Sequence, residues 1–555
     1  MRHLWSFALI AAVHCTTLPE QVKLRNGLIK GVKQSHAGRQ VTAFLGVPFA
    51  ESPLGSNRFS PPIPVADWNG VFSASQPARA CYQSPSKMYD GFEGEEMWND
   101  YNFGEDCLYL NFWVPEQHDG TVMVWIFGGG FTTGSPSLDL YDGRVLAATQ
   151  GVIVVNLNYR VGPFGFAYLG DDTTITGNAG LLDQQLGLKW ISENIGAFGG
   201  DSNKVTLFGE SAGAVSATSH LLAEDSVNLF QRVIAQSGSV FNPWGPCSDS
   251  VILNNTRRLA ARVGCSLSDP KSSFFYSPDA SFGDFGFAPI PKDKHFFKTD
   301  LFHSIATESY KKNVDIMVGA TQDEATYFLS YIYPHLGMTF NQTQNADSKD
   351  NKMAISNEAF LNIVHNALSR FEPFKSNRQK LDEVIKRYVN LNMTLKLKKS
   401  VLLRNAAANI IDDFFFTCDL IAMADRMNRN INGKVYLYNF QQRSSWNPWP
   451  DWMGAMHGYE IEYHFGYPLR RSNKYNWLLV EEEKVFANQM MQFWASFAKT
   501  GIPTADGLTW PEYQLNTKQA MILRAMGMKT VTDLDGEKCA YIHNEIGLDG
   551  FRSCQ

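Results

Sequence analysis

The segment Lys204-Val205-Thr206-Leu207-Phe208-Gly209-Glu210-Ser211-Ala212-Gly213-Ala214 constrains this chain more than any other. Its first half is apolar and β-branched, and its second half is built of small residues. It reads as a strand that turns sharply into a helix, with Ser211 at the apex: the Gly-x-Ser-x-Gly elbow of an activated nucleophile. Gly209 and Gly213 make the turn possible, because strand and helix backbones approach so closely that a side chain at either position would clash. The serine then projects outward with a helix N-terminus behind it. The pattern is short enough to arise by chance, but the β-rich run before it and the small residues after it argue against chance.

Around this turn, apolar runs bounded by turn residues recur at Val122 to Phe127, Val152 to Leu157, Val233 to Ala235, Ile316 to Val318 and Val435 to Phe440. Helical patterns lie between them, notably Gly180 to Ile195 and Ala212 to Leu222. Strands alternating with helices predict an α/β fold, a large mostly parallel central sheet with helices on both faces. Short runs near Val22 to Val32 suggest antiparallel edge strands. Asp269 to Thr299 is rich in Phe and Gly without periodicity and reads as a loop insertion. Met338 to Lys399 is more polar and helical in parts. The length of 555 residues would accommodate several domains. No linker, repeat or low-complexity tract divides it, so residues 16–555 are expected to form one domain.

The beginning of the chain predicts where it resides. Met1-Arg2-His3 is basic, Leu4 to Val13 is apolar, and small residues around Cys15 suit cleavage. This reads as a signal peptide over residues 1–15, hence a secreted, extracellular protein. Neither a membrane-spanning run nor a hydrophobic C-terminal tail is visible, so no membrane anchor is expected. In an oxidising compartment the eight cysteines should pair. Loss of Cys15 leaves an odd number, and Cys554 is the candidate for a link between subunits, giving a monomer or a Cys554-linked dimer. Asn254, Asn341 and Asn392 begin glycosylation sequons. No basic cluster suggests a nucleic-acid partner, so none is expected, and the net charge of −6 is too small to argue for a cationic substrate.

In the elbow folds, the acid and the histidine follow the serine in chain order. The strand Ile316 to Gly319 runs into Asp323 and Glu324, either of which could be the acid. His335, His365, His457, His464 and His543 follow, and His457 sits among small residues that suit a loop. An oxyanion needs backbone N–H donors. Ala212 supplies one, and Gly128-Gly129-Gly130 follows an earlier strand and suits the others. A dinucleotide loop is a poor alternative there, because the spacing is wrong and Ser135-Pro136 follow at once. No metal or cofactor motif is present in the sequence, and neither a cofactor nor a metal is expected.

Longer tokens then stand out: Phe44-Leu-Gly-Val-Pro-Phe-Ala-Glu51, Glu105-Asp-Cys-Leu-Tyr-Leu-Asn111, Val124-Trp-Ile-Phe-Gly-Gly-Gly-Phe131, Phe208-Gly-Glu-Ser-Ala-Gly213 and Trp452-Met-Gly-Ala-Met-His-Gly-Tyr-Glu-Ile-Glu462. In these the chain resembles the cholinesterases of the type-B carboxylesterase family, from about Gly46 to Cys539. The resemblance implies the α/β-hydrolase fold, a catalytic triad of Ser211, Glu324 and His457, and an oxyanion hole of Gly129, Gly130 and Ala212. It implies hydrolysis of a small-molecule choline ester through a serine acyl-enzyme. The choline cation would lie against Trp98, Glu210, Tyr327, Trp449 and Tyr459, since a tryptophan face attracts quaternary ammonium. It also implies disulfides Cys81–Cys107 and Cys418–Cys539. A secreted carboxylesterase of broad specificity is the alternative. A silent neuroligin-like adhesion protein is disfavoured, because all three triad positions are filled.

Departures from the pattern carry their own expectations. The acyl pocket aligns to Trp244, Gly283, Phe285 and Phe328. Gly283 replaces a ring, which should widen the pocket and admit butyryl as well as acetyl esters. Ser84 and Ser86 stand where the family has a rim tyrosine and aspartate, and Thr132 where it has another tyrosine. The shortened stretch Ser272 to Gly286 has no tryptophan. A weak peripheral site follows. The shortening also removes the usual partner of Cys265, which leaves a bridge to Cys247 as the expectation.

Overall fold

The computed structural model describes residues 20–264, 282–393 and 399–546. The expected signal segment 1–15, Cys265 with its expected bridge to Cys247, Cys554, residues 272–281 and the end of the Asn392 sequon lie outside the described residues.

Eleven strands form one large sheet. In chain order they are β1 (Val32–His36), β2 (Arg39–Pro48), β3 (Tyr109–Pro115), β4 (Val122–Ile126), β5 (Ile153–Leu157), β6 (Val205–Glu210), β7 (Arg232–Gln236), β8 (Asp315–Thr321), β9 (Val435–Phe440), β10 (Gln519–Leu523) and β11 (Lys529–Thr532). Their spatial order is β11-β10-β9-β8-β7-β6-β4-β5-β3-β2-β1. The strands from β5 to β10 run parallel, and the outer pairs at both ends are antiparallel. With helices packed around it, this is the α/β-hydrolase architecture. Every residue of β4, β5, β6 and β9 is buried. A parallel strand covered on both faces is apolar throughout, not alternating, which explains the uninterrupted runs in the sequence.

The N-terminal expectation needs correction. Gln21–Lys23 and Leu28–Lys30 do not extend the large sheet; they pair with each other and with Val71–Ser73 in a separate small sheet. Only Val32 opens an edge strand of the large one. Pairing with Val71–Ser73 is a long-range contact to which local periodicity is blind.

The two expected helices are present as α1 (Ala179–Asn194) and α2 (Ala212–Ser219). The polar stretch beyond Met338 contains α3 (Asn357–Leu368) and α4 (Arg378–Met393). Next come α5 (Lys399–Asp412) and α6 (Cys418–Asn430), joined by a π-helical turn at Asp413–Thr417. Cys418 bonds Cys539 and Cys81 bonds Cys107, as the resemblance implied. The second bridge closes a loop that contains Trp98. Among the described residues, no helix is long and apolar enough to cross a membrane.

Candidate active site

The elbow follows from close approach. Its serine adopts φ 56° and ψ −125°, a conformation that costs about 1–3 kcal/mol and persists only where the surroundings impose it. They do so here. A Cβ on Gly209 would lie 2.6 Å from the Gly213 carbonyl oxygen, and one on Gly213 would lie 2.0 Å from the carbonyl of Ile126 on β4. Gly128, at the end of β4, would bring a Cβ to 3.0 Å from Ser211 Cβ, so the glycine loop packs directly against the elbow. Gly238 closes the opposite side, where a Cβ would meet the Ser211 carbonyl at 2.4 Å. Sequence reasoning missed Gly238, because nothing local marks it. Among the described residues, no hydrogen bond engages the N–H groups of Gly129, Gly130 or Ala212, and the first turn of α2 stands behind Ser211.

The acid and the imidazole come from the ends of later strands. Glu324 follows β8 and is fully buried; its Oε1 accepts the Thr321 N–H at 2.7 Å. Its Oε2 lies 2.5 Å from His457 Nδ1. Asp323, the other candidate, faces away and accepts the Ala455 N–H at 2.9 Å, so it secures the loop that carries His457. Burial pushes Asp323 up to about 6. Of the other histidines, His464 lies deep in the core, stacked on Trp494 and bonded to Gln236. Burial pushes its imidazole down to about 3. His457 behaves in the opposite way. Burial alone would lower it, but the flanking Glu210 and Glu324 carboxylates outweigh burial and hold it well above its ordinary 6.5. Its Nε2 lies 3.0 Å from Glu210 Oε1, without the alignment of a hydrogen bond. Among the described residues, no hydrogen bond joins Ser211 Oγ to this nitrogen. Catalytic hydrogen bonds are often loose before substrate arrives and tighten in the complex.

The residues expected to meet choline surround this centre. A Cβ on Gly458 would touch Trp98 Cη2 at 3.2 Å and Glu210 Oε1 at 3.5 Å, so the indole packs on the backbone beside His457 and close to Glu210. Trp98 and Tyr327 are half-buried. Tyr327 reaches the His457 ring at 6.4 Å and Trp449 at 5.6 Å. Trp449 and Tyr459 are fully buried and bonded to each other at 2.6 Å. They back Trp98, whose ring meets Tyr459 edge-on at 6.1 Å. Tyr89, Phe92, Tyr331 and Phe340 complete the aromatic wall and were not anticipated.

The expected widening at Gly283 is not what the structure shows. Gly283 has φ +77°, and a Cβ there would lie 3.0 Å from Trp244 Cβ and 3.8 Å from Phe415. The space is already filled. The π-helical turn swings Phe415 and Phe416 inward, and the Phe415 carbonyl accepts both Asn242 Nδ2 and Trp244 Nε1 at 2.8 Å. Phe416 stacks on Phe328 at 5.6 Å, meets Trp244 at 5.6 Å and lies 5.4 Å from the His457 ring. Phe285 closes on Trp244 at 6.0 Å and on Gly130. The run Phe414-Phe415-Phe416 was not singled out from the sequence, because nothing local marks its place beside the site. At the rim, Ser84 is exposed, and Ser86 and Thr132 are half-buried.

A buried serine, histidine and glutamate lie at the carboxyl ends of parallel strands and face a glycine loop, an arrangement shared with serine hydrolases. The chain belongs to the carboxylesterase family, whose match extends over residues 19–542. It is 38% identical to acetylcholinesterase 4 of Caenorhabditis briggsae, across 93% of this chain and 87% of the relative. It is 37% identical to the cholinesterase of Mus musculus, across 94% and 86%. It is 38% identical to the acetylcholinesterase of Bungarus fasciatus, across 94% and 85%. Family and likeness together support a serine esterase.

Proposed function

We propose that this protein hydrolyses choline esters, chiefly acetylcholine, with Ser211 as nucleophile, His457 as general base and Glu324 as the group that orients the imidazole. Ser211 Oγ attacks the ester carbonyl as His457 Nε2 takes its proton. The oxyanion forms against the N–H groups of Gly129, Gly130 and Ala212, each donor contributing about 3 kcal/mol at the transition state. His457 returns the proton to the departing alcohol. Water then attacks the acyl-enzyme by the same route in reverse, releasing the acid and regenerating Ser211. Glu324 stabilises the imidazolium in both halves.

The choline reading rests on one observation above all. The Trp98 indole lies against Gly458, next to the histidine, with the buried Glu210 carboxylate beside it. A quaternary ammonium held there gains about 2 kcal/mol or more from the ring face when desolvated. The relatives named for choline esters support the same assignment. The close packing around Gly283 favours acetyl over butyryl chains. We also infer secretion, which the two disulfides support, since such bonds persist in oxidising compartments.

Thiocholine release from acetylthiocholine, set beside hydrolysis of a neutral ester of equal size, tests the reading. Trp98→Ala should raise KM for the cation by about tenfold or more while the neutral ester is spared. Unchanged choline-ester turnover in that variant, together with efficient neutral-ester cleavage, would make the protein a broad carboxylesterase instead.

A further inference from the structure

Glu95 is a buried carboxylate that forms no ion pair among the described residues. It lies in the short turn Glu93–Glu96, just before Trp98, and is 1% exposed. Its Oε1 accepts Ser86 Oγ at 2.6 Å and its Oε2 accepts the Tyr89 N–H at 2.9 Å. Two acceptor oxygens, each met by a donor, suit the ionised form, which can only accept. Among the described residues, no Lys, Arg or His forms an ion pair with it; Lys474 pairs with the neighbouring Glu93. A buried charge without a counter-ion is unfavourable unless something else compensates it.

Its surroundings point to what that is. Tyr89, whose N–H it binds, contacts Tyr331 at 5.5 Å, Trp449 at 5.6 Å and Phe340 at 4.8 Å. Glu95 thus lies behind the aromatic wall that also includes Trp98. Its field reaches the cavity side: burial is the main reason the Tyr327 and Tyr331 hydroxyls titrate far above their ordinary value, and Glu95 pushes both the same way. Ser86 occupies the position where the resemblance places an aspartate. Its hydroxyl donates to Glu95 instead, so a carboxylate still takes part at this position, supplied by the neighbouring turn. This wall thus keeps a carboxylate, buried three residues before Trp98.

We propose that Glu95 is a specificity-determining residue that favours cationic over neutral esters through its fixed negative charge, in place of the aspartate absent at Ser86. The proposal rests on the choline-ester reading above. Glu95 does not touch the reacting atoms, so its effect should appear in KM and not in kcat.

Steady-state kinetics on acetylthiocholine and its uncharged isostere S-(3,3-dimethylbutyl) thioacetate provide the test. Glu95→Gln should raise KM for the cation about tenfold, of the order of a single Coulomb interaction at an effective dielectric of about 20, with kcat and the neutral substrate nearly unchanged. The exchange Ser86→Asp with Glu95→Ser should bring the cationic KM back to within about threefold of the parent, because the charge returns to the other end of the same contact. Equal losses on both substrates, or an unchanged ratio between them, would overturn the proposal by leaving Glu95 a purely structural residue. Should Glu95→Gln fail to fold, the double exchange decides alone: a cation preference retained supports the proposal, and one lost refutes it. Trp98→Ala measured in parallel separates the two ideas. If it collapses the cation preference while Glu95→Gln does not, only the Glu95 proposal falls; if neither variant moves the ratio, the choline reading falls as well.

Discussion

Ser211 is held in its conformation by glycines on three sides, and the tightest contact is to backbone that cannot yield. Gly213→Ala places a methyl group 2.0 Å from the Ile126 carbonyl. Overpacking of that kind costs about 1–3 kcal/mol, often more against backbone. The expected outcome is a fall in kcat of about a hundredfold or more, with a lowered melting temperature by calorimetry, since Ser211 must shift whenever α2 moves away from β4. His457 makes a second prediction. In its proposed role of general base it must be neutral, and its neighbours hold it above 6.5. The acid limb of kcat/KM should therefore lie above that value in the parent protein. Removing the first-named carboxylate by Glu210→Gln should move the limb to lower pH, and a pH–rate profile of both proteins checks it. An unmoved limb would mean that Glu210 does not set the titration. Phe416 makes a third. Its ring fills the acyl side of the site, so Phe416→Ala should raise the butyryl-to-acetyl ratio of kcat/KM by about 10–200-fold, the range that a pocket gains or loses per methylene. The elbow glycines could be read from the sequence because their steric demand is local. Phe416 and Gly238 could not, because their roles exist only after distant segments meet.

The elements that carry the site differ in how they are secured. The loop that contains Trp98 is closed by Cys81–Cys107, 26 residues apart, and α6 is tied to the C-terminal region by Cys418–Cys539, 121 residues apart. On a chain-entropy view these closures contribute about 3–4 and about 5 kcal/mol. Replacing Cys81 and Cys107 together with alanine should lower the melting temperature and raise KM for the cationic ester more than for the neutral one. The π-helical turn between α5 and α6 frees the Phe415 carbonyl for Trp244 and Asn242. Sequence periodicity registers such a turn only as continuous helix. The sequons also divide by element. Asn254 lies on the helix Asp249–Arg262, and its Thr256 hydroxyl is buried, donating to Ile252 and accepting from Tyr168. Asn341 is exposed in a turn, where its side chain accepts both the N–H and the hydroxyl of Thr343. Digestion with an N-glycosidase should show a mass shift that Asn341→Gln reduces by one glycan and Asn254→Gln leaves in place.

At the scale of the whole molecule, the sheet gathers parts that are far apart in the chain. The glycine loop ends β4, the serine ends β6, and the glutamate follows β8. The histidine comes from the segment after β9. All are at carboxyl ends of parallel strands, where open α/β sheets form their sites. The chain as a whole carries a net charge of −6. If the charge contributes to capture, kcat/KM for the cationic ester should fall by about twofold to threefold between low and physiological ionic strength, while that for the neutral isostere stays level. The sequence by itself determined the buried parallel strands and the elbow. Each of these is a requirement of local backbone geometry or of burial on both faces of a strand, and such requirements leave a pattern within ten or so residues. Only the tertiary structure decided between Asp323 and Glu324 by geometry, filled the space at Gly283 with Phe415 and Phe416, and placed Glu95 behind the wall beside Trp98. Those outcomes depend on which side chains meet across hundreds of residues, and distance, direction and shared burial are properties of the folded chain alone.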